Sequence, residues 1–195
     1  MAIATPEELR HFLRLPLAFT EDETATAVLL LELAQGVIED EAGQALESST
    51  DTIVLDGPTI DDFRYQSAAG TRRMVLPRWP VTAVASVTLT DDDDVLVHGK
   101  DEDYTWSRSG VLSRRGTEWP ATDQAIEVEY TAGYETWPPA LKRIGLRLAS
   151  VGWANPEGLS AETLGDHSRS YNTEALGMEL TLADRRTVGS YRAQT

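Results

Sequence analysis

Two periodicities divide the chain: apolar residues recur at helical spacing toward both ends and alternate every second residue through the middle. Thr5-Pro6-Glu7-Glu8 reads as a capping box with proline in the first turn. It predicts a short helix over Pro6–Arg14 with Leu9, Phe12 and Leu13 on one face. Thr20-Glu21-Asp22-Glu23 is a second capping box, and the helix behind it is predicted to run to about Leu46. Its stripe comprises Ala27, Leu30, Leu31, Ala34, Val37, Ile38, Ala42 and Ala45, and Leu29 and Leu33 widen it. A stripe this broad suits contact on two sides, a bundle partner and either the sheet or a neighbouring subunit; a single buried core helix accounts for it equally. A third helix starts at Pro138-Pro139, where proline's preset φ and missing N–H suit the first turn. It carries Leu141, Ile144, Gly145, Leu148, Ala149, Val151 and Gly152 on one stripe, with Lys142, Arg143 and Arg147 mostly off it. Asn155-Pro156 closes it.

From Ser48 the period becomes two. Strands are predicted at Asp51–Leu55, Asp61–Tyr65, Arg72–Leu76, Ala83–Thr90, Val95–Val97, Asp103–Ser107, Val111–Arg115 and Ala125–Thr131. Asp91–Asp94 reads as a hairpin tip, and Pro77-Arg78-Trp79-Pro80 as punctuation. Glu127 and Glu129 fall on the outer face of the last strand. Short strands in this order make an antiparallel sheet or a small barrel-like module. Behind the third helix, Leu159–Tyr171 is polar with a loose alternation, as in an extended arm. Thr181-Leu182-Ala183-Asp184 caps a last helix over Leu182–Tyr191 whose apolar face is too thin to hold it alone. An arm of this kind is expected to order on a partner.

The reading is therefore α+β: a small helical bundle (1–47 and 132–157), an inserted antiparallel β module (48–131), and an extended C-terminal docking arm (158–195) with a short terminal helix. A chain of 195 residues is long enough to bury a real core. It has no cysteine, which excludes disulfides, thiolate metal sites and Cys nucleophiles. The acidic start does not resemble an export signal, and the run Ala25–Ala34 is broken by Glu32 and too short to span a bilayer. A soluble protein made in a cytoplasm, with no membrane partner, is expected.

Charge sharpens this picture. The net charge is −15, and residues 1–136 hold ten basic against twenty-six acidic groups, while 137–195 hold seven against six. Such a surface repels phosphate backbones and disfavours ordinary nucleic-acid binding, while repulsion can itself be useful where DNA must slide past without sticking. The near-neutral C-terminal third is better suited to docking on an acidic protein. Reactive chemistry is scarce. Asp91–Asp94 with Asp101, Glu102 and Asp103 offers oxygens for a cation but lacks the spacing of a calcium loop. His11, His98 and His167 lie far apart, and no zinc, nucleophile-elbow or phosphate-loop motif occurs. No catalytic, cofactor-binding or metal-ligating residue is assigned. Arg72-Arg73 and Arg114-Arg115 read as ion-pairing doublets.

The order of four strings carries a resemblance. They are M-V-L-P-R-W-P-V-T-A-V-A-S-V-T-L at 74–89, D-Y-T-W-S-R-S-G-V-L at 103–112, V-E-Y-T-A-G-Y-E-T-W-P-P-A-L-K at 128–142 and A-N-P-E-G-L-S-A-E-T-L-G-D at 154–166. From the first helices to about Tyr171 the chain resembles the head–tail connector (adaptor, or head-completion) proteins of long-tailed bacteriophages. The resemblance implies a structural virion protein of the neck. It would be a ring, typically of twelve copies, between the portal and a stopper or tail-terminator protein, with DNA passing through unbound. It also implies no cofactor. Residues 158–171 and 180–192 would be the docking arm, with Arg169, Arg185, Arg186 and Tyr191 as anchors. Leu29, Leu33, Lys142, Arg143 and Arg147 would be ring contacts; a core leucine or a solvated arginine is the plain alternative for each. Rival classes are another neck or tail component and a metal-dependent hydrolase using Asp91–Asp103.

Overall fold

In the computed structural model, residues 2–57, 72–154, 161–164, 167–170 and 178–192 are described. Among these, α1 (Pro6–Phe12), α2 (Glu21–Ala42), α3 (Pro139–Ala154) and α4 (Leu182–Gly189) are helical. The strands are β1 (Ser49–Leu55), β2 (Arg73–Val75), β3 (Val81–Leu89), β4 (Asp94–Val95), β5 (Tyr104–Trp106), β6 (Val111–Arg114), β7 (Ile126–Ala132), β8 (Ala161–Leu164) and β9 (His167–Ser170). Helices with antiparallel sheets make the α+β class read from the sequence. The chain divides into two compact units, 1–43 with 136–192, and 44–135 with 193–195.

In the first unit, both N-terminal capping boxes form: Thr5 closes on Glu8 and Thr20 on Glu23, each hydroxyl and carboxylate meeting the other's backbone N–H. α2 packs on α3 and, more lightly, on α1 and α4. Its buried line is Ala27, Leu31, Ala34, Ile38 and Ala42, and α3 answers with Leu141, Ile144, Leu148 and Ala149. Small residues bring the helices close. A Cβ at Gly145 would lie 2.7 Å from Ile3 Cδ1, and one at Gly152 would lie 2.8 Å from Leu30 Cδ2. Gly36 is different: a Cβ there meets nothing within 4 Å, although glycine inside a helix costs roughly 1 kcal/mol against alanine.

α1 is tied to α3 by Lys142, whose ammonium donates to Glu8 at 2.5 Å. That bond, then the Thr5 backbone N–H, holds the Glu8 carboxyl below the ordinary value of 4.5. A lowered carboxylate stabilises the fold above its unfolded-state pKa, and the gain is lost as pH falls through the folded value. Both partners are partly solvated, so the contribution is a few tenths of a kcal/mol. Glu8→Gln is expected to flatten the pH dependence of stability below about pH 4.5 and leave its slope near neutrality unchanged. Thermal melts across that window check it.

In the second unit, β7 is the central strand of a four-stranded antiparallel sheet ordered β1-β7-β3-β4. Ile126, Val128, Tyr130 and Ala132 alternate inward on it. Glu127 is exposed and Glu129 half-buried, as expected of the outer face. Ile126, Val128, Tyr130 and Ala132 join Met74, Leu76, Val87, Tyr104, Leu112 and Trp119 in one core, each large side chain contributing about 1.5–3 kcal/mol. β3 carries two register shifts, between Val81 and Ala83 and between Val84 and Ser86.

Four expectations are corrected. α2 stops at Ala42 rather than Leu46, because Gly43 takes the left-handed conformation (φ 66°) and Gln44 turns to accept the Trp79 N–H. The strands of the second unit form two sheets, since β2, β6 and β5 pair among themselves in a three-stranded ladder. β8 and β9 pair antiparallel with each other, where a single extended arm was expected. α4 is also held within this chain: Val188 is fully buried, and polar contacts supply what its thin apolar face lacks. The expected strand at Asp61–Tyr65 and the turn after Asn155 lie outside the described residues.

Candidate assembly surfaces

Among the described residues, no group of three or more His, Asp or Glu side chains converges as a metal cage would require. Asp91–Asp94 is an exposed hairpin tip. Asp103 turns inward to accept the Val97 N–H at 2.9 Å, and Asp101 faces Arg115 at 3.8 Å. Asp101 and Asp103 are therefore each engaged in a local contact. Of the basic doublets, Arg115 makes that ion pair, while Arg114 lies 5.5 Å from the Trp119 ring centroid, a cation–π distance. His98 packs beside Tyr104 and Trp106.

The residues singled out for assembly fall into three groups. Leu29 and Leu33 are 55% and 51% exposed on α2, and Val28 beside them 40%, so none is a core side chain of this chain. Lys142 and Arg147 serve the chain itself. Lys142 holds Glu8, and Arg147 reaches Asp184 at 2.7 Å and the Glu179 carbonyl at 3.3 Å. Arg143, between them in sequence, is exposed.

The third group surrounds α4. Asp184 is almost fully buried and accepts from Arg147, from the Thr181 hydroxyl at 2.6 Å and from the Thr181 N–H at 3.1 Å. One carboxylate thus caps α4 and pins it to α3. Arg185 bonds Glu41 at 3.2 Å, and Arg192 bonds both the Glu41 carboxylate and, at 3.0 Å, its carbonyl. Arg186 is exposed and Tyr191 half-buried. The side chain of Arg169 lies outside the described residues. Arg147, expected at a ring contact, and Arg185, expected as a docking anchor, each make an ion pair within this chain.

Two important residues escaped that reading. Glu41 is a 14%-exposed acceptor for two arginines more than 140 positions away, and nothing local marks it. Arg78 sits between prolines in a segment read only as punctuation. Its guanidinium donates to the carbonyls of Ala45, Glu47 and Ala132, to Ser49 Oγ at 2.8 Å and to the Asp51 carboxylate. An arginine enclosed by two prolines was the only available hint.

This geometry describes a protein of surfaces, with exposed apolar and cationic positions on helices. Comparisons with known proteins agree. Among curated proteins none matches. Solved structures do, at 18% identity. The chain in the virion of a native gene transfer agent particle superposes with a TM-score of 0.61 over 99% of this chain and 91% of that one. The neck of the empty particle, computed with sixfold symmetry, gives 0.56 over 99% and 91%. The neck of the native particle, computed with twelvefold symmetry, gives 0.55 over 97% and 88%. At this identity the likeness establishes the fold. The family model for "head completion protein" matches residues 2–176, nearly the whole chain, so this chain belongs to the head completion protein family.

Proposed function

We propose that the chain is a structural virion protein that forms a ring adaptor in the particle neck, between the portal and the stopper or tail, and lengthens the DNA channel. The observation that carries this reading is the family match across residues 2–176. The twelvefold and sixfold symmetry of the necks it resembles suits a closed ring of copies. Charge supports it too: residues 1–136, at −16, make a weakly adhesive wall for passing DNA. No enzymatic role is assigned, because the side chains that form its networks hold secondary structure together.

In this reading Leu29, Leu33 and Arg143 lie at ring contacts, and Arg186 is available to the portal or stopper. Lys142, Arg147 and Arg185 act indirectly, by fixing α1 and α4. Arg169 and Tyr191 complete the docking surface of the C-terminal segment. Assembly with the cognate portal, imaged at the neck, tests this. A ring of this chain directly beneath the portal is the expected result. Its appearance only at the tail tube, or as a plug across the channel, would assign it to the terminator or stopper role instead.

A further inference from the structure

We infer that the outer face of α2 docks onto the outer face of α3 in a second copy of this chain, with Glu32 of one copy meeting Arg143 of the next. This rests on the ring reading and names the surfaces that make it. The buried line of α2 is Ala27, Leu31, Ala34, Ile38 and Ala42. On its opposite side Ala25, Leu29, Glu32 and Gly36 follow one another at four-, three- and four-residue spacing, the rule for a single helix face. Val28 and Leu33 flank them, and all six are exposed. Water therefore meets a second apolar stripe with one charge at its centre.

Gly36 is the independent clue. Gly145 and Gly152 have a reason inside the chain, since Ile3 and Leu30 occupy the space a side chain would take. Among the described residues nothing occupies the space above Gly36, so its cost to the helix has no return there. A helix approaching from outside uses that space.

Charge selects the occupant. α2 carries no lysine or arginine and α3 no aspartate or glutamate. Among the described residues neither Glu32 nor Arg143 has an ion-pair partner, whereas Lys142 and Arg147 beside Arg143 do. Arg143 lies opposite the buried Leu141, Ile144 and Leu148, with half-buried Leu146 and Ser150 on the same side. Because α2 and α3 pack through their buried faces, these two outer faces point away from each other. That is the arrangement a head-to-tail contact requires if it is to repeat around a ring. Copies with a net charge of −15 repel one another, so a contact must bring opposite charges together locally, as Glu32 and Arg143 do.

Charge reversal in the full-length chain tests this by sedimentation velocity, with imaging of the assemblies. Glu32→Arg and Arg143→Glu are each expected to weaken self-association about tenfold or more, and a mixture of the two, or the double variant, to recover it. Gly36→Leu is expected to lose association while melting no lower than the unaltered chain, which separates assembly from folding. Reversed variants that associate normally, with intact rings, would overturn this contact and leave the ring reading standing. A double variant no better than the singles would also overturn it, as would an unaltered chain that never self-associates. Self-association unchanged while portal binding is lost would assign the stripe to another partner and equally overturn the proposal.

Discussion

Gly133→Ala is expected to cost the β unit about 4 kcal/mol. Two penalties combine. The φ of Gly133 is +106°, a conformation L side chains rarely adopt, and holding one there costs of order 1–3 kcal/mol. The added Cβ would also lie 2.4 Å from the Glu47 carbonyl oxygen, 2.6 Å from its carbon and 2.9 Å from the Leu46 oxygen. All three are backbone atoms and cannot rotate away. They belong to the chain leading into β1, which pairs here with the chain leaving β7. The Tyr134 N–H donates to Leu46 O at 2.8 Å, and the Ser48 N–H to Tyr134 O at 3.2 Å. Gly133 itself donates to Pro80 O at 2.9 Å. Relieving the clash means separating these segments, so urea unfolding should show a large drop in midpoint. A variant within about 1 kcal/mol of the unaltered chain would show that the turn has room to yield.

The second large effect is expected at Arg78, whose replacement by alanine should cost about 3 kcal/mol. Its side chain is only 12% exposed and bonds five acceptors on two separate segments, 45–51 and Ala132. Alanine strips donors from the Ala45, Glu47 and Ala132 carbonyls and leaves Asp51 without its cation. The bonds to Glu47, Ala132 and Asp51 are part-buried, and acceptors that lose their donors there carry a desolvation cost that exceeds the net worth of the bonds themselves. Arg78→Lys should recover less than half the loss, because one ammonium cannot reach acceptors spread around a planar fork. Hydrogen exchange offers a local readout: the Ser48 and Tyr134 amides should lose protection before the β7 amides do. Full rescue by lysine would reduce Arg78 to a point charge.

Gly133 and Arg78 act on the same small region, so their effects should not add. The linker at 44–48, the turn at 133–134 and the segment before β3 are fastened together there. Neither residue announced this in the chain. Nothing near Gly133 in the sequence shows why it admits no side chain, because Glu47 is 86 positions earlier. Arg78 likewise finds Ala132 54 positions away.

Other features were readable because their causes are local. Three capping boxes were legible as four-residue strings, since the groups they satisfy lie within one helical turn. The alternation of Ile126, Val128 and Tyr130 placed β7 with one face inward, because pleating imposes that period whatever the partner strand. The family resemblance also rested on the order of local strings, and the match over residues 2–176 agrees with it. The end of α2 was misjudged by four residues, since Ala45 and Leu46 continue its apolar pattern and only the left-handed Gly43 ends it.

For the assembly surfaces the division is sharper. Spacing alone marked Leu29 and Leu33 as additions to an apolar stripe, and it marked Lys142, Arg143 and Arg147 as cations off another. Periodicity records which residues share a face; it carries no information about which face finds a neighbour. Only the tertiary structure turned the Ala27–Ala42 line inward and left Leu29, Leu33 and Gly36 facing water. It also committed Lys142 to Glu8 and Arg147 to Asp184 while leaving Arg143 exposed. The class of fold, the caps and the strand alternation come from interactions within a few residues, so the sequence by itself determined them. The partners of Arg78, Glu41 and Asp184, and the face α2 turns to solvent, depend on segments brought together from far along the chain, where closure and packing decide.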